Sequence, residues 1–137
     1  GNGQLQYELD NLVKNFKLEK YIFLNSFITD IERVYNSASI FVMSSRFEGM
    51  PNVLLEAVSY KVPCIVSNKV RAAFEFLKHK ESCLKFESEN INDLKKNLEN
   101  LTSKRILRKR IATKAFNQLN KYFSKKKILM EWGKIVE

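Results

Sequence analysis

Glycine, proline, cysteine and histidine are all scarce: four Gly, two Pro, two Cys and one His in 137 residues. So little glycine and proline excludes a collagen-like or glycine-rich chain. Long apolar runs are missing too. Stretches such as Ile40-Phe41-Val42-Met43 fall far short of the roughly 20 residues that a membrane-spanning helix needs. Residues 1–14 mix Asn, Gln, Glu and Asp where the apolar core of a secretory signal would lie. Cys64 and Cys83 belong to no Cys-x-x-Cys or Cys/His array. They therefore suggest no metal site, and a reduced, cytoplasmic compartment is the expectation. The lone His79 lies in Lys78-His79-Lys80-Glu81 and reads as a solvated side chain.

What is present is globular in composition and basic in balance. Apolar residues make up 45% and charged residues 28%, which excludes a disordered tail. Twenty-four Lys+Arg against fifteen Asp+Glu give a net charge of +9. Such a chain is drawn to phosphates: nucleic acid, anionic lipid or a phosphorylated small molecule. The length suits one domain over residues 1–137.

The hydrophobic period alternates. Leu5, Leu9, Leu12, Val13 and Phe16 recur at helical spacing. Tyr21-Ile22-Phe23-Leu24 reads as a buried strand. Thr29 and Glu32 have the spacing of a capping box and open a helix. Residues 40–43 read as a second strand, 44–51 as a loop, 53–60 as a helix, 64–67 as a third strand and 83–86 as a fourth. Three helices follow, marked by Leu94, Leu98 and Leu101, by Leu107, Ile111, Ala115 and Leu119, and by Ile128, Trp132 and Ile135. Short continuous apolar strands between helices predict an α/β fold: a Rossmann-like parallel sheet with helices on both faces and a helical C-terminus. Ligands of such sheets bind beyond the carboxyl ends of the strands.

One loop holds the chemistry: Ser44-Ser45-Arg46-Phe47-Glu48-Gly49-Met50-Pro51-Asn52-Val53-Leu54-Leu55-Glu56-Ala57. It leaves a strand and enters a helix near Pro51 or Asn52, as a first helical residue or a cap. The unpaired amides of that helix start form an anion site. Gly49 lets the backbone come close to a ligand. Glu56, a turn into the helix, faces back to the same mouth, and Glu48 lies on the other side of the amides. Two carboxylates flanking a phosphate cradle suit a nucleotide sugar, which has hydroxyls on both sides of its diphosphate.

Glu48-Gly49-Met50-Pro51 with Glu56-Ala57 resembles the Glu-x7-Glu signature of the retaining glycosyltransferases of family 4, which have the GT-B fold. Gly1-Asn2-Gly3, Phe23-Leu24-Asn25-Ser26-Phe27, the strand at 38–45, Val62-Pro63-Cys64-Ile65-Val66-Ser67, Glu75 and Phe123-Ser124 with Trp132 resemble further landmarks of that family's C-terminal domain. The resemblance implies a hexosyltransferase whose partners are a nucleotide-sugar donor, such as a UDP- or GDP-sugar, and a glycan or lipid-linked acceptor. It implies retention of configuration, no cofactor and no metal. By it, Glu48 would be the catalytic residue, facing the donor sugar and its anomeric region to hold a hydroxyl or steady positive charge there, and Glu56 would hold the ribose. Gly49, Met50, Asn52 and Val53 would offer amides to sugar and diphosphate, and Phe27 and Ile28 would flank the base. The leaving diphosphate would help deprotonate the acceptor, so stabilising the phosphates is the main catalytic task.

Some positions depart from the pattern. Ser26 and Lys61 stand where the family has Gly, and Val70-Arg71-Ala72-Ala73 replaces a Gly-rich stretch before Glu75. The resemblance also implies that the N-terminal acceptor domain and two central strands are missing. The fragment is accordingly expected to be inactive alone and, unless its strands re-pair, to fold poorly. The basic cluster from Lys104 to Lys127 reads as a solvated helix face, with peripheral contact to an anionic membrane as its functional alternative. A nucleic-acid-binding α/β module and a non-catalytic truncated remnant are the other readings. Against nucleic acid, no helix-turn-helix, zinc-finger or RNA-recognition signature appears.

Overall fold

The computed structural model describes residues 3–124. They form two compact units that divide between Val34 and Tyr35. The third expected C-terminal helix, at Ile128, Trp132 and Ile135, and the residues Gly1 and Asn2 lie outside the described residues.

In the first unit, helix α1 spans Gln6–Asn15, and none of its residues is buried. Glu8 in its first turn and Lys14 in its last complement the helix dipole. Lys17 takes a left-handed conformation (φ 54°), and the Leu18 amide donates to Val13 O at 2.9 Å. That is a Schellman-type stop.

The expected strand at residues 21–24 does not form. The amides of Tyr21 and Ile22 both turn back to Leu18 O, each at 2.9 Å. No strand among the described residues pairs with this segment, and Tyr21 and Phe23 are exposed. An apolar run becomes a strand only where a neighbour supplies the ladder. The cap of the next helix also differs from expectation. Asp30, not Thr29, receives the Arg33 amide, at 3.1 Å, and opens α2 (Ile31–Ser37).

The second unit carries the sheet. Strands β1 (Phe41–Met43), β2 (Cys64–Ser67) and β3 (Leu84–Phe86) run parallel in that order. Val42, Ile65 and Leu84 lie in register. Helix α3 (Asn52–Ser59) connects β1 to β2, and α4 (Ile91–Ser103) and α5 (Arg105–Phe123) follow β3. A short 3-10 helix, Arg71–Glu75, was not legible in the sequence, because five residues are too few to show a period.

Strand β2 is buried at all four positions because side chains alternate between two cores. Cys64 and Val66 join Leu54, Val58, Phe76, Leu77 and Ala115 in one cluster. Ile65 joins Leu84, Phe86, Leu101 and Ile111 in the other. Helix α5 serves both clusters. Helices therefore cover both faces, as the continuous apolar strands predict.

Lys61 bears out its place at a glycine position, and His79 departs from its sequence reading. Lys61 follows α3 at φ 56°, with its amide on Val58 O at 2.9 Å and the Val62 amide on Ala57 O at 3.0 Å. This is the left-handed helix stop that a glycine would fill without strain. The Lys61 ammonium lies 4.7 Å from the centre of the Phe116 ring, a cation–π contact that offsets part of the strain. His79, in turn, is not merely solvated. Its Nδ1 accepts the Lys85 amide at 2.8 Å, and Asn97 Nδ2 donates to Lys85 O at 3.3 Å. Together they occupy both polar groups of a residue in the edge strand β3 and so block further pairing there.

Candidate functional site

In a parallel sheet the loops after each strand emerge at one edge, and here residues 44–51 emerge after β1. Met43, the last strand residue, is buried. Pro51 is buried as well and is the N-cap of α3, with φ −80° and ψ 72°. Those angles form an inverse γ-turn, and the Asn52 amide closes it on Met50 O at 2.9 Å. Pro51 is thus the cap and not the first helical residue, and no side chain caps this helix. Pro51 O accepts the amides of Leu54 and Leu55 at 2.9 and 3.2 Å.

The turn sorts the expected amide donors. Asn52 spends its amide inside the γ-turn. The amides of Gly49, Met50 and Val53 have no partner among the described residues. Met50, Asn52 and Val53 are exposed around them. Gly49 has no positive φ, and a Cβ built on it meets nothing within 4 Å. Neither backbone conformation nor packing therefore requires glycine at that position.

The two glutamates differ in support. Glu56 lies on the exposed side of α3. The hydroxyl of Tyr35 donates to its Oε2 at 3.0 Å and lies 3.1 Å from Val53 O. Tyr35 is buried, stacked on Tyr60 at 5.5 Å and tilted against Phe41 at 6.4 Å. Burial first, then the Glu56 carboxylate, push its phenol up to about 12, so it stays a proton donor at neutral pH. A ring fixed in the core thus orients an exposed carboxylate. Nothing in the sequence marked Tyr35, because one aromatic residue on a helix reads as core. Glu48 is half-buried in the loop and has no hydrogen-bond or ion-pair partner among the described residues.

A cavity of about 210 Å³ adjoins this edge, lined by Ser44 and Arg46 after β1 and by Ser88, Glu89 and Asn90 after β3. Neither glutamate lines it. Arg46 pairs with Glu89 across it at 2.7 Å, both side chains being largely exposed. Phe27, strongly exposed, and Ile28 belong to the first unit. Among the described residues no three His, Cys, Asp or Glu side chains gather as metal ligands. No described helix is long and apolar enough to cross a membrane.

The family model "Glycosyl transferases group 1" matches residues 1–118. The chain belongs to that family. An uncharacterized glycosyltransferase from Haemophilus influenzae is 27% identical over 136 residues, which are 99% of this chain and 38% of the relative. A Campylobacter jejuni relative is 29% identical over 136 residues, 99% of this chain and 37% of its own length. Its name is GalNAc-alpha-(1->4)-GalNAc-alpha-(1->3)-diNAcBac-PP-undecaprenol alpha-1,4-N-acetyl-D-galactosaminyltransferase. Among solved structures, a mutant of S. aureus TarM in complex with Fondaparinux, alpha-GlcNAc-glycerol and UDP superposes with a TM-score of 0.88 at 22% identity. That match covers 95% of this chain and 26% of TarM. The chain thus spans 38% of the length of the first curated relative. Its fold is that of the C-terminal domain of GT-B glycosyltransferases.

Proposed function

We propose that this group 1 glycosyltransferase chain is the donor-binding part of an enzyme that moves a sugar from a nucleotide-sugar donor to a glycan or lipid-linked acceptor with retention of configuration. The observation that carries this is the Tyr35–Glu56 contact. A buried hydroxyl is committed to fixing an exposed carboxylate one turn from the amides of Gly49, Met50 and Val53. Pre-oriented acceptors and donors of this kind are what hydroxyls and phosphates of a ligand require. The acceptor class follows the relative whose name carries an undecaprenol-linked diphosphate.

In this reading Glu56 accepts hydrogen bonds from the donor's ribose, and the free carboxylate of Glu48 faces the donor sugar, holding a hydroxyl or steadying positive charge at its anomeric region. The three unengaged amides of the turn take the sugar and diphosphate. Asn52 contributes its side chain at the rim, since its amide is spent in the turn. Amides already aimed at the leaving diphosphate lower the barrier without reorganisation, and no metal or other cofactor is required. The chain acts in the cytoplasm.

Gly49→Ala tests this reading. A methyl group there meets no protein atom, so stability should stay within about 0.5 kcal/mol of wild type. Affinity for UDP, measured by titration calorimetry, should fall about tenfold or more. An unchanged affinity would remove the ligand from this turn.

A further inference from the structure

We propose that the concavity flanking β3, between β3, α4 and α5, binds the phosphate headgroup of an anionic lipid. Its volume is about 640 Å³, ample for a headgroup and the start of its chains. Leu84, Phe86 and Leu107 contribute apolar surface. Lys80 comes from the loop before β3, Lys96 from α4 and Arg110 from α5. All three are exposed, and none pairs with a carboxylate among the described residues. Glu87 and Asp93 line the hollow as well, and each carboxylate is hydrogen-bonded locally. Asp93 accepts the Glu87 amide at 2.8 Å, and the Glu87 carboxylate accepts Asn90 Nδ2 at 3.0 Å. With Lys85 of β3, four cations thus line one hollow against two carboxylates, and Lys80, Lys96 and Arg110, from three separate elements, form no ion pair among the described residues. A solvated helix face needs no such convergence.

The surroundings favour a lipid over a free phosphate. Leu107 and Arg110 also line a second concavity, with Lys104, Arg105 and Ile106 at the α4–α5 corner. Ile106 is 86% exposed there. A large apolar side chain ringed by cations suits the boundary between headgroups and acyl chains. Neither feature touches the donor turn, so the proposal stands independently of the donor-site reading.

The test is sedimentation of the chain with vesicles of phosphatidylcholine alone or with one-third phosphatidylglycerol. The expected result is binding to the anionic vesicles only. Lys96→Glu with Arg110→Glu should weaken it about tenfold or more, as loss of two surface-facing cations implies. Ile106→Asp should weaken it further, with an unchanged melting temperature in each case. Lys114→Glu with Lys121→Glu places the same charge change on exposed positions of α5 outside the hollow. An equal loss in that control would show that general basicity does the binding, and would overturn the proposal. So would failure to bind anionic vesicles, including the case in which glycerol phosphate binds and vesicles do not. UDP affinity, measured on the same variants, reports separately on the donor turn.

Discussion

At the scale of single residues, His79 links a hydrogen bond to pH. Its Nδ1 can accept the Lys85 amide only while the ring is neutral. Burial first, then Lys80 and Lys85, lower its pKa from the ordinary 6.5, against a smaller opposing pull from Asp93. A base whose folded pKa is depressed favours folding above its unfolded pKa, and that contribution is lost as pH falls through the folded value. The chain should therefore lose stability as pH drops below about 6.5, and His79→Ala should lose less over the same interval. Urea midpoints from about pH 7 to about pH 5 for both proteins check this. Parallel pH profiles would assign the edge protection to Asn97 alone. The sequence hid this role because the partner is a main-chain amide in a strand whose position depends on the whole sheet.

At the scale of elements, the stop of α3 is the most exposed weakness. Lys61 holds a left-handed conformation that only glycine adopts freely. Lys61→Val puts a β-branched residue there and removes the contact with Phe116. It should cost about 1–3 kcal/mol, read from chemical denaturation. A cost under about 0.5 kcal/mol would mean that the turn relaxes. Arg108 illustrates a similar reassignment. Counted by sequence within a solvated basic cluster, its guanidinium instead donates to Leu101 O and Thr102 O, each at 2.8 Å, and so caps α4.

Elements with a long or strict period were legible from residues alone: α1, α3, α4, α5 and the strands β1 to β3. The strand expected at residues 21–24 was not an error of pattern, since the run is apolar. It failed because sheet pairing is non-local, and a single segment does not report its neighbours. For the same reason the donor turn was located by motif while its details were not. Pro51 as cap, the closed Asn52 amide and the Tyr35 clamp all depend on packing across the α2, β1 and α3 elements.

For the whole molecule, β2 is where the two cores meet. Ile65 is wholly buried and faces the layer of α4 and α5, while Cys64 and Val66 face that of α3. Ile65→Ala should cost about 2–5 kcal/mol, and a smaller loss would show that the α4 and α5 layer is not packed on the sheet as described. The buried thiols report the same integrity. Burial raises both pKa values, that of Cys83 to about 12, so neither is a thiolate at neutral pH.

Membership of the group 1 family rests on residues 1–118, but the donor-site reading rests on one carboxylate. Titration calorimetry of UDP into the chain and into Glu56→Ala tests it most directly. Measurable binding by the wild type and a loss of about tenfold or more in the variant are expected, with folding retained by circular dichroism. Equal affinity in the two proteins would contradict it.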